Sequence, residues 1–147
     1  MTRHFPIHAL LAVVLVAATP AIAVPAWPGT EARAPAISGH DPVAYFSGGA
    51  KPGSDAFTVS HDGVTFRFVS AANRDAFAAD PARFLPQLGG YCAWAASQGR
   101  LAAPDPTLAT IVDGKLYLNC SKSAEDKWRA DIPGNIAKGA AFWATQQ

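Results

Sequence analysis

Apolar and polar residues alternate twice between residues 57 and 69, and Asp62-Gly63 separates the two runs. Phe57, Val59 and His61 share one face of the first run, and Val64, Phe66 and Phe68 share one face of the second. Period-two alternation on both sides of an Asp-Gly pair predicts a β-hairpin, because these residues accept the positive φ that a two-residue turn requires. Ser70 then stands as the N-cap of a helix over residues 71–79, with Phe77 and neighbouring alanines as its buried stripe. Asp80-Pro81 opens a further short helical turn ending near Pro86. Gly89-Gly90 breaks the chain, residues 91–97 suit a short helix stopped by Gly99, and residues 104–106 form a turn.

From Thr107 the pattern returns. A shift of 51 positions lays Asp62-Gly63 on Asp113-Gly114, Phe66 on Tyr117, Ser70 on Ser121, Asp75 on Asp126, Phe77 on Trp128 and Asp80 on Asp131 without a gap. Two explanations stay open: a true internal repeat, or the likeness that any hairpin followed by a capped helix has to any other. A true repeat predicts that both hairpins join one antiparallel sheet with two helices covering a face. The last helix is expected over residues 135–145, where Ile136, Ala140 and Trp143 recur at helical spacing. The fold class is α+β: a small antiparallel sheet from two β-hairpins packed with several short helices.

The ends and the composition narrow the class. Arg3 followed by an apolar run over residues 9–18 and by Ala21-Ile22-Ala23 reads as a secretory signal peptide over residues 1–23. The run is about half of the roughly 20 residues that a membrane-spanning helix needs, so no membrane association is expected after cleavage. Residues 24–36, with Pro25, Pro28 and Pro35, read as an extended arm, and residues 37–147 as the domain. The 147 residues carry 12 Lys and Arg against 11 Asp and Glu, and losing Arg3 leaves a formally neutral chain. A neutral chain offers no basic stripe for nucleic acid. The expected location is periplasmic or secreted, where thiols tend to oxidise, so Cys92 and Cys120 are first weighed as a disulfide.

The segments Gly39-His40-Asp41-Pro42-Val43-Ala44-Tyr45-Phe46, Asn73-Arg74-Asp75-Ala76-Phe77, Asp80-Pro81-Ala82-Arg83-Phe84-Leu85-Pro86, Gly89-Gly90-Tyr91-Cys92-Ala93 and Gly114-Lys115-Leu116-Tyr117-Leu118-Asn119 resemble, in this order, the secreted YHS-domain proteins of bacteria. The resemblance runs from about Ile37 to Trp143. Short YHS and TRASH-like modules place three cysteines, thought to bind copper or another soft ion, at positions that fall here on Ala44, Val69 and Asn73. None of these is a thiolate, so the site as the short modules build it is absent. In the repeat register Cys120 falls on Val69, one of the three positions. Cys92 matches the longer secreted members, whereas Cys120 departs from them, since they usually carry an aromatic there. That gives Cys92 a role of its own, in packing or ligation, and leaves its disulfide with Cys120 open in this chain.

The remaining soft donors are two histidines and two cysteines. As metal ligands Cys92 and His40 come first, and Cys120 and His61 second. Asp41 is read as structural, its carboxylate capping the turn that Pro42 begins. His61 reads as an edge histidine beside the turn, and Tyr45, Phe46, Tyr91 and Trp94 as core or as the lining of a small apolar pocket. No nucleophile can be paired with a base from spacing, and hydrolase, metalloprotease and phosphate-loop motifs are missing, so no enzyme is expected. The leading expectation is a binding module for a transition metal such as copper. The alternative is a disulfide-stabilised structural or interaction domain without metal, whose partner is a periplasmic protein.

Overall fold

Asp62 and Gly63 take φ of 49° and 77°, and Asp113 and Gly114 take 49° and 71°. Positive φ at both central residues is what a tight hairpin turn demands, and Asp-Gly supplies it at little steric cost. The computed structural model describes residues 27, 28, 30 and 33–147; the expected signal peptide lies outside them. Strand β1 (Ser54–His61) pairs antiparallel with β2 (Val64–Phe68), and β3 (Asp105–Val112) pairs antiparallel with β4 (Lys115–Asn119). In both hairpins the register slips at the same place, between Ser54 and Thr58 and between Asp105 and Ala109. The helices are α1 (Ala71–Ala79), α2 (Pro81–Phe84), α3 (Ala93–Ser97), α4 (Lys122–Arg129) and α5 (Ile132–Ala144). The α+β class with two hairpins and short helices is therefore observed.

The repeat is real and longer than the hairpin and helix. Ser70 Oγ accepts the Asn73 N–H at 3.1 Å, and Ser121 Oγ accepts the Ala124 N–H at 3.1 Å. Upstream of each hairpin, positive φ at Ile37, Ser38 and Gly39 recurs at Leu88, Gly89 and Gly90, each 51 positions on. The Asp41 N–H donates to Lys51 O at 2.9 Å, and the Cys92 N–H donates to Ala102 O at 2.9 Å. Each unit is thus an arm, a hairpin and a capped helix. Likeness among unrelated hairpins would not reproduce the arms as well.

The hairpins do not join one sheet, contrary to the expectation from a true repeat; they form two separate two-stranded sheets. The free edge of β4 is taken by the chain that links the units. The Gln87 N–H donates to Leu116 O at 2.8 Å, and Pro86 and Cys92 form parallel bridges to Leu116 and Leu118. β4 is consequently buried on both faces. Leu116 and Leu118 enter a core with Phe66, Phe68, Phe77 and Phe84, while Tyr117 packs on Trp128 with ring centroids 5.3 Å apart. Each such apolar side chain stabilises the fold by about 1.5–3 kcal/mol, so β4 is the seam that holds the two units together.

Two further expectations are corrected. Helix α5 begins at Ile132 rather than 135, because Asp131 Oδ1 accepts the Gly134 N–H at 3.1 Å and Pro133 fits a first turn. Its buried residues are Asn135 and Gly139, whereas Ala140 is exposed and Trp143 half-buried. A Cβ at residue 139 would lie 3.4 Å from Leu88 Cδ1 and 3.7 Å from Ala96 Cβ, ordinary contact distances, so Gly139 faces α3 and Leu88 with room for a methyl group. In the arm, Trp27 is buried edge-on against Phe66, with centroids 5.3 Å apart, and Ala36 is fully buried.

Candidate functional site

In the first unit Asp41 is fully buried, and both of its oxygens are used. Oδ1 accepts the N–H groups of Val43 at 2.8 Å and Ala44 at 3.2 Å; Oδ2 accepts the Val69 N–H at 2.9 Å and the Asn73 Nδ2 at 2.7 Å. Four donors on one carboxylate offset its burial without a counter-cation. The capping role read from the sequence is present, and the same side chain also ties the arm to the end of β2 and to α1. Ala44, Val69 and Asn73, the positions where the short modules carry cysteines, all meet on this one carboxylate.

In the second unit the place of Asp41 is taken by Cys92, and its work is divided. The backbone amides of Ala95 and Cys120, the counterparts of those of Ala44 and Val69, lie close enough to the Cys92 sulfur to favour its thiolate. The Trp94 N–H, counterpart of that of Val43, goes instead to Asn119 Oδ1 at 3.0 Å. Asn119 is fully buried at the position that Phe68 holds in the first unit, and its oxygen lies 3.9 Å from Cys92 Sγ. Its Nδ2 has no hydrogen-bond partner. Asn73 is replaced by Ala124, and Cys120, packed against Cys92, lies in this half of the site. A thiol cannot serve four donors as a carboxylate does, so Asn119 supplies the missing acceptor.

The two sulfurs differ in access. Cys92 is fully buried and packed with Ala95, Ala124, Ala102, Trp94 and Cys120; Cys120 is partly exposed. Burial, and after it the neighbouring Cys120 thiol, push the Cys92 thiol up to about 11, while the two amide donors oppose this. Both cysteines are free thiols in contact.

The other predicted residues lie elsewhere in the structure. His40 bridges to Pro52, and its Nδ1 lies 3.2 Å from Ile37 O. His61 Nε2 is 3.3 Å from Asp62 Oδ2, and its ring stands edge-on to Phe77 at 5.9 Å. Among the described residues no three His, Cys, Asp or Glu side chains are grouped to hold a metal. The aromatic residues suggested for a pocket are dispersed: the Tyr45 hydroxyl donates to Pro106 O at 2.6 Å, Phe46 stands edge-on to Phe84, and Tyr91 stacks on Trp143. A cleft of about 410 Å³ is lined by Trp27, Leu85, Leu88 and Trp143 among others, and by none of Tyr45, Phe46, Tyr91 and Trp94. No helix among the described residues is long and apolar enough to cross a membrane.

Asn119 was missed from the sequence, as was the pairing of Asp41 with Cys92. The signal was present: the 51-residue shift, carried back from Thr107, sets Gly39-His40-Asp41 on Gly90-Tyr91-Cys92 and Phe68 on Asn119. No protein-family model, curated protein or solved structure matches the chain.

Proposed function

We propose that the protein is a non-catalytic secreted domain of the YHS type whose second unit carries a dithiol, Cys92 and Cys120, that closes as a disulfide. The observation that carries this reading is the seating of Cys92 in the place of Asp41, against the Cys120 thiol. Where Asp41 joins arm, hairpin and helix of the first unit by hydrogen bonds, the disulfide joins the arm of the second unit to the end of β4. A neutral disulfide suits a site walled by Ala95, Ala102 and Ala124 better than two thiolates, whose charges would be buried without a cation. Closing the 28-residue separation between the cysteines contributes roughly 3 to 4 kcal/mol in the chain-entropy treatment. The domain then acts as a stable structural or interaction module, its partner a protein of the same oxidising compartment. Alkylation of the purified, unreduced protein followed by mass measurement tests this: blocked thiols and a peptide linking residues 92 and 120 are expected, and two alkylated cysteines would refute it.

The second reading is a soft monovalent metal on the same two sulfurs. It is favoured by the grouping of Ala95, Cys120 and Ala124, the second unit's counterparts of the short modules' ligand positions, around Cys92. The set does not fit the three-thiolate site, and His40 and His61 have partners elsewhere. Titration of the reduced protein with Cu(I) separates the readings. One ion held per chain, and lost in Cys92→Ala, would support metal binding; binding no tighter than in that variant would exclude it.

A further inference from the structure

The disulfide proposed above must be made by some route, and the unequal access of its two sulfurs sets that route. Cys120 is partly exposed and is followed by the exposed residues Ser121 and Lys122, whereas no surface of Cys92 is open to a reagent. We infer that Cys120 is the thiol that a low-molecular-mass disulfide modifies, and that Cys92 is the buried thiol that resolves the adduct. This inference rests on the proposed Cys92–Cys120 bond and adds the order of events.

The chemistry balances in two exchanges. The Cys120 thiolate attacks one sulfur of the external disulfide; the new bond joins Cys120 to that sulfur, the old disulfide bond breaks, and the first external thiol leaves with a proton. The Cys92 sulfur then attacks the Cys120 sulfur; the bond from Cys120 to the external sulfur breaks, and the second external thiol leaves with the proton that Cys92 gives up. Two electrons pass from the protein dithiol to the external disulfide, which is reduced to two thiols. The backbone amides of Ala95 and Cys120 favour the charge that the Cys92 sulfur carries as it attacks. In reverse, the same access makes Cys120 the sulfur that an external thiol attacks and Cys92 the leaving group. Because burial holds the Cys92 thiol high, it leaves poorly, and the bond is slow to reduce.

The test uses the reduced protein with oxidised glutathione, followed by intact mass and peptide mapping. Cys92→Ala is expected to hold a stable glutathione on Cys120, while Cys120→Ala reacts about tenfold or more slowly, because its remaining thiol is buried. The unaltered protein is expected to pass through a transient adduct on Cys120 and to end without glutathione. A brief treatment of the unaltered reduced protein with N-ethylmaleimide provides a check that needs no variant: label on Cys120 before Cys92 is expected. Label on Cys92 first, or equal rates in the two variants, would overturn the order while leaving the disulfide itself intact. Retention of glutathione on both cysteines of the unaltered protein would overturn the disulfide as well.

Discussion

The two units share one backbone design and differ in what sits at its centre. In the first a buried carboxylate gathers four donors from the arm, the end of β2 and α1. In the second a thiol pair and an asparagine divide the same positions. The lesson is that a single replacement at a hub is not isolated. With Cys92 in place of Asp41 the arm needs another acceptor for Trp94, and Asn119 provides it at the cost of an apolar residue and an unpartnered Nδ2. Such an unpaired buried donor costs about 1–3 kcal/mol, which the proposed disulfide at the same site would offset.

The comparison breaks most visibly at Asp41. Asp41→Ala leaves the Val43, Ala44 and Val69 amides and the Asn73 side chain without their acceptor, and a loss of about 3–5 kcal/mol is expected in urea unfolding. Cys92→Ala in reduced protein is expected to cost about 1–2 kcal/mol, since the sulfur accepts fewer donors and Asn119 still holds the Trp94 N–H. Equal losses at the two positions would contradict the division of labour. Next in size, reducing the oxidised protein is expected to lower its stability by roughly 3 kcal/mol, with no such effect of reductant in Cys120→Ala.

A smaller effect appears with pH. Burial, and secondly the Cys120 thiol, raise Cys92 from 9.0 to about 11 in the reduced fold. Between those values the unfolded chain releases the Cys92 proton and the folded chain keeps it, so the contribution is complete below pH 9 and is lost as pH rises towards 11. Denaturation curves of reduced protein should therefore weaken across that interval relative to those of Cys92→Ala, and the oxidised protein, which has no thiol to titrate there, should lack this component. The smallest expected difference concerns the helix caps, which the units share. Ser70→Ala and Ser121→Ala should each cost about 1 kcal/mol and resemble one another closely.

Local chemistry was legible in the sequence. Asp-Gly turns, alternating strands and serine caps act within a few residues, and each appears where the pattern placed it. The single sheet was not, because the edge of β4 is claimed by Pro86, Gln87 and Cys92, and nothing in an alternating pattern tells which segment will occupy an edge. The double burial of β4 was equally hidden, since Leu116, Tyr117 and Leu118 form the short apolar run of a strand covered on both sides. At the site, Val69 and Asn73 reach Asp41 across 28 and 32 residues, a separation from which spacing alone predicts nothing. The repeat register sets Cys120 on Val69 and Cys92 on Asp41, so it relates the two sites to one another, but it does not say which residues of a unit meet.

The proposed bond between Cys92 and Cys120 is tested most directly by the thiol count of the purified protein, unfolded without reductant in an alkylating reagent and weighed intact. The account predicts no alkylated cysteine before reduction and two after it. Two alkylated cysteines without reduction would contradict it.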